Sequence, residues 1–245
     1  MSLEGRTAVV TGATGNAALA VVRGLLEDGA QVALVDADPM RLDSLIRFLR
    51  GSTVAIPAES SQAGSVRQAH QQVEKLLGPV DILVNAYDDP ATPDDANDPQ
   101  EWRRAIERTL DGAFNWSRAV LPSMKKREWG RIVSLVSPAA KGAAIEAGAA
   151  HAAAHGGLVA LTFALAREAA PHGVTVNAIA AALVENSPAI EMLNEAQRRQ
   201  ILAQVPLARF CKPEELAHAA RFLVSPLAGF ITGEVLDVNG GIVMD

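Results

Sequence analysis

The chain has 245 residues, close to half of them hydrophobic and a fifth charged, which is ample for the core of one large α/β domain. Its formal net charge of −6 lacks the basic footprint of a nucleic-acid binder. A single cysteine, Cys211, excludes an internal disulfide and suits a reducing compartment.

Short apolar, β-branched runs alternate with longer helical patterns. TAVVTG (Thr7–Gly12) reads as a buried strand, followed by a helix over Asn16–Asp28 that stops at Gly29. Gln31–Asp36 is a second strand. Leu42, Leu45, Ile46 and Leu49 then have the i, i+3, i+4, i+7 spacing of an amphipathic helix that starts at Pro39 and runs through Arg50. A third strand over 52–58 precedes a helix with Val66, Ala69, Val73, Leu76 and Leu77 facing inward, and Asp81–Ala86 is the fourth strand. The stretch YDDPATPDDANDP that follows is too rich in Asp and Pro for helix or central strand and reads as an acidic surface loop. Trp102, Ile106, Leu110 and Phe114 then recur at i+4 on an expected helix. Gly130–Ser137 is strand five, an alanine-rich helix comes next, and Val174–Ala180 is strand six. A polar, Pro-punctuated stretch extends to about Pro206, a helix begins near Pro213, and Glu234–Gly241 is the last strand.

Continuous apolar strands separated by helices predict a doubly wound parallel sheet of about seven strands, Rossmann-type, with helices on both faces and one domain over 1–245. Such a fold places a ligand crevice at the carboxyl ends of its strands. The N-terminus lacks the pattern of a signal peptide and the apolar runs are interrupted, so a cytoplasmic protein without membrane or nucleic-acid partners is expected.

The alanine-rich helix carries GAAHAAAHGG, in which His151 and His155 are one helical turn apart and share a face. They could form a metal site, although no third ligand with suitable spacing accompanies them and no metal is expected. They could be an acid–base pair, since imidazole titrates near neutrality. They could also simply fill a pocket or contact another subunit.

The segments TGATG, DILVN, GRIVSLVS, LAREAAPHGVTVNAIA and GFITGEVLDVNGG, in this order, resemble the short-chain dehydrogenase/reductase family over the whole chain. That resemblance implies hydride transfer between NAD(P) and a carbinol or ketone. It implies a catalytic Tyr-x-x-x-Lys, a serine and an asparagine. In this sequence His151 stands at the tyrosine position and His155 at the lysine position, Ser137 matches the serine, and Thr109 replaces the asparagine. The glycine pattern is altered too. Gly12 is kept, Asn16 stands at the second glycine and Ala18 at the third, while Gly15 could allow a rearranged turn. Asp36, at the ribose position, favours NAD over NADP if a dinucleotide binds, or else caps a turn. Glu59 matches the adenine-contacting acid and Asn85 the strand-four asparagine. Tyr87 and Asp88 replace small residues near the adenosine, and Asn186 stands where a threonine often caps the nicotinamide amide.

The scaffold positions stay family-like while the positions that touch cofactor and substrate are altered. The expectation is a degenerate, non-catalytic subunit that binds NAD weakly or not at all. It would form a mixed tetramer with an active paralogue carrying NAD, or a homotetramer. The C-terminal half is similar to dehydrogenases of hydroxyacyl-CoA compounds, including the inactive subunit of the benzylsuccinate-pathway enzyme of anaerobic toluene degradation. Two alternatives remain: an NAD-dependent oxidoreductase with an altered site built on Ser137 and His151, and a small-molecule binding protein that uses the crevice.

Overall fold

The computed structural model describes residues 2–86, 98–142 and 148–244. Tyr87, Asp88 and most of the acidic stretch fall outside them. Seven strands form one sheet: β1 (Thr7–Thr11), β2 (Gln31–Asp36), β3 (Thr53–Pro57), β4 (Ile82–Asn85), β5 (Gly130–Val136), β6 (Val174–Ala181) and β7 (Val235–Val238). Their order is β3-β2-β1-β4-β5-β6-β7, and every pairing is parallel.

Both faces of this sheet are covered, as an all-parallel sheet requires. Successive strand residues alternate between two cores. Ala8, Val10, Val32, Leu34, Ile82 and Val84 face α1 (Asn16–Glu27) and α9 (Pro213–Val224). Val9, Ala33, Val35, Leu83 and Ile132 face α3 (Ala63–Leu77), α5 (Gly112–Lys126) and α6 (Ala149–Ala169). The α6 helix is long and apolar enough for a membrane span by length and composition. Its Leu158, Leu165, Ala166 and Ala169 are nevertheless buried within the fold.

Local chemistry sets several boundaries. Helix α2 (Pro39–Ile46) starts where the Asp38 carboxylate accepts from the Met40 and Arg41 amides, with Pro39 preset for the first turn. It ends four residues earlier than the apolar spacing predicts, and Phe48 is left exposed. Leu76, expected inside, is also exposed, because the helix turns it away from the core that holds Val66, Ala69 and Val73. The polar stretch before Pro206 holds two short helices, α7 (Pro188–Glu191) and α8 (Glu195–Leu202). Asn194 and Gln197 form a reciprocal capping box at the start of α8.

The expected i+4 stripe does not survive. Between α4 (Pro99–Ala105) and α5 the helix widens to π geometry over Ile106–Asp111. The widened turn breaks the fourfold repeat. Trp102 and Phe114 are about half exposed, whereas Thr109 and Trp116 are buried.

Two glycines test the packing in opposite directions. Gly173 sits at φ 68°, and an added Cβ would meet the Glu128 carbonyl oxygen at 2.6 Å. Gly173→Ala is expected to destabilise the fold by about 2 kcal/mol or more. Gly156 lies within α6 with nothing near its missing Cβ, so Gly156→Ala is expected to stabilise by roughly 0.5–1 kcal/mol. Urea unfolding of the two variants beside the wild type checks both signs.

Candidate active site

Because all strands run the same way, every strand-to-helix turn opens at one edge of the sheet. At β1 the turn is built by Gly12, at φ 58°, in the left-handed region that favours glycine. Gly15 caps α1 at φ −76° and its amide donates to the Gly12 carbonyl at 3.0 Å. Gly15 therefore needs no conformational freedom in this turn. Asn16 is the first residue of α1. Its side-chain amide donates to the Asn186 backbone carbonyl in the segment after β6.

Asp36 holds this turn in place. One carboxylate oxygen accepts from the Thr14 amide (3.2 Å) and hydroxyl (2.8 Å), and the other accepts from the Asp38 amide at 3.2 Å. Of the two roles weighed for Asp36, these bonds display turn capping. Glu59 is exposed beyond β3, and its carboxylate accepts from the Ser61 hydroxyl at 3.0 Å.

Thr11, Asn85 and Ser134 lie in register on β1, β4 and β5. The buried Asn85 amide donates to the Ser134 hydroxyl at 3.2 Å, while its Oδ1 has no hydrogen-bond partner. Asn85 and Thr109 line the same small cavity of about 10 Å³, with Thr11 and Ser60. That is near the lower limit for one water molecule. The π stretch thus carries Thr109 to the end of β4.

Ser137 follows β5 and caps a 3-10 turn (Pro138–Lys141), accepting from the Ala139 amide at 3.2 Å. The Ser137 backbone amide donates to His155 Nδ1 at 3.2 Å. His155 is therefore an acceptor at Nδ1 and carries its single proton on Nε2. It is 6% exposed. Burial, reinforced by the nearby His151, lowers its pKa from 6.5 to about 3. The two imidazoles lie with ring centroids 4.3 Å apart, so they share a face as the spacing predicts. No group of three or more His, Cys, Asp or Glu side chains among the described residues could hold a metal ion.

Sequence reasoning missed two features here. Lys141 Nζ pairs with Asp237 Oδ2 on β7 at 2.7 Å, both side chains largely buried. An open groove of about 430 Å³ lies beyond it at the carboxyl ends of β6 and β7, lined in part by Ala182, Arg209, Cys211, Asp237 and Gly240. The sequence signal for the pair was only a lone Lys and a lone Asp, 96 residues apart.

Comparison with known proteins decides the family. A family model described as enoyl-(acyl carrier protein) reductase matches residues 12–243. The chain belongs to the short-chain dehydrogenase/reductase family. It is 36% identical to the 3-oxoacyl-[acyl-carrier-protein] reductase of Vibrio cholerae, with both chains covered in full. It is 34% identical to the 2,3-dihydroxy-2,3-dihydro-p-cumate dehydrogenase of Pseudomonas putida, covering all of this chain and 96% of that one. The crystal structure of gox2181 superposes with a TM-score of 0.92 at 29% identity, covering 98% of this chain and 96% of that one.

Members of this family use NAD(P). The residues present fit such a group poorly. The backbone must approach a pyrophosphate closely at the start of α1, and there this chain carries Asn16, bonded across to Asn186. At the lysine position the buried imidazole of His155 is neutral and offers no cation to a ribose.

The low pKa of His155 has a stability consequence. Its folded value lies below the unfolded value of about 6.5, so below that pH the unfolded chain takes up a proton that the folded chain refuses. This contribution to stability is complete above about pH 6.5 and is lost as pH falls, by about 2 kcal/mol at pH 5. His155→Asn offers an oxygen acceptor to the Ser137 amide without the titration. Urea unfolding at pH 7.5 and pH 5 should show the wild type losing about 2 kcal/mol more than the variant.

Proposed function

We propose that this chain is a non-catalytic subunit of a heteromeric, NAD-dependent short-chain dehydrogenase that acts on a hydroxyacyl-CoA or related alcohol. The observation that carries this reading is the state of His155. The family's lysine is a fixed cation that lowers the pKa of the catalytic tyrosine, whereas His155 is neutral, buried and bonded to the Ser137 amide. With His151 in the tyrosine position, neither the acid nor its charged helper is present.

An active paralogue with an intact Tyr-x-x-x-Lys would supply the chemistry and hold the NAD. Two sets of exposed apolar side chains support association with such a partner. Trp102, Phe114 and Phe163 are each about half exposed on α4, α5 and α6, and Leu227 and Phe230 are fully exposed after α9. The preferred assembly is a mixed tetramer in the cytoplasm, with this chain as one domain over 1–245.

The substrate class is supported by the Vibrio cholerae reductase named above. It acts by name on a 3-oxoacyl group held on acyl carrier protein, whose reduction gives a hydroxyacyl group. The finer reading, the inactive subunit of the benzylsuccinate-pathway dehydrogenase, rests on the sequence resemblance of the C-terminal half.

One observation favours a second reading. Ser137 uses an oxygen lone pair to cap the 3-10 turn, and the half-buried His151 lies against His155, which accepts from the Ser137 amide. This arrangement supports an altered oxidoreductase using Ser137 and His151.

Titration of the purified chain with NADH, followed by cofactor fluorescence, separates the two. The expected result is no saturable binding up to about millimolar concentration, against the micromolar-to-millimolar range usual for enzyme ligands. Saturable binding, with turnover of a hydroxyacyl-CoA that His151→Phe abolishes, would establish the second reading instead.

A further inference from the structure

Asn16 and Asn186 are 170 residues apart, yet one side-chain bond joins them. Asn16 opens α1 after β1, and Asn186 follows β6. In the sheet these two strands are separated by β4 and β5. A link between the segments that follow them therefore crosses the crevice in which a doubly wound fold holds a ligand between its loops.

The segment after β6 is built to receive this link. Val184 pairs with Cys211 in an isolated parallel bridge, and the Glu185 amide donates to the Cys211 carbonyl at 2.8 Å. Asn186 then adopts φ 60°, one of three non-glycine residues in the left-handed region among those described. Ser187 is buried and its amide donates back to the Val184 carbonyl, after which α7 begins. One side of the segment is thus tied through Cys211 and the other through Asn16. The Asn16 side chain is free for this task because Gly15, not Asn16, occupies the capping position of α1.

We propose that Asn16 acts as an internal strap that replaces a bound dinucleotide, joining α1 to the segment after β6 and holding residues 183–191 in place without any ligand. In an open crevice, a ligand that contacts both sides would order that segment on binding. Here the Asn16 amide, together with the Cys211 contacts, ties that segment without a ligand. The strap rests on the reading above, that this chain does not take a dinucleotide.

Hydrogen exchange on the full-length protein tests this. Asn16→Asp keeps the size of the side chain, suits the N-terminus of α1 and cannot donate to a carbonyl. Asn16→Gly removes the side chain altogether and serves as the second variant. In both, exchange at the Glu185, Ser187, Ile190 and Glu191 amides is expected to rise roughly two- to tenfold, as for loss of one hydrogen bond. Exchange at Leu19, bonded within α1 to the Gly15 carbonyl, is expected to stay unchanged. Unaltered exchange over 183–191 in both variants would overturn the strap and leave the proposed function standing. NADH added to the wild type is expected to change nothing. Protection of 183–191 by NADH would overturn the strap and the proposed function together.

Discussion

An all-parallel sheet cannot leave a face in water and cannot turn its strands around, and these two constraints organise the rest of the molecule. Each strand must be followed by a crossover helix, so the carboxyl ends of all seven strands gather at one edge. Gly12, Asp36, Asn85, Ser137 and Asn186 come from five different strands or the turns after them, and the sheet alone brings them together. The cores beneath on both faces are apolar. The packing of the scaffold therefore rests on these cores rather than on the polar groups at the edge.

The changes at that edge follow one physical rule. Several polar groups there are bonded to the protein itself. The Asp36 carboxylate spends its oxygens on Thr14 and Asp38. The Ser137 hydroxyl oxygen caps a turn, and its amide is paired with His155. Lys141, a cation close to the strand ends, is neutralised by Asp237. A lysine at position 155 would have to carry its charge into a site that is nine-tenths buried, which is costly without a partner. A neutral imidazole meets the same space and satisfies a backbone donor.

Much of this was legible in the sequence, for reasons that differ by element. The strands could be read because burial on both faces writes them as unbroken apolar runs such as VALV in β2. The shared face of His151 and His155 could be read because helical spacing is local. The π stretch could not be read, since nothing in IERTLD distinguishes a widened turn from an ordinary one, and the i+4 stripe pointed the other way. Helix α8 left a signal, Asn194 followed by Gln197, that a search for apolar periodicity overlooks. The Lys141–Asp237 and Asn16–Asn186 contacts belong to a different class. Each joins polar residues far apart in the chain, and only the folded sheet determines that they meet.

Asn16 and His155 illustrate why a replaced residue is best judged by what it bonds to. At the level of sequence each is a loss: a glycine that lets the backbone approach a phosphate, and a lysine that supplies charge. In the folded chain each is a gain of a specific bond, to Asn186 and to Ser137 respectively. A chain drifting without constraint would leave such positions with unpaired polar groups, each of which costs stability when buried. Here both groups are paired, whereas the buried Asn85 Oδ1 at the same strand ends is not.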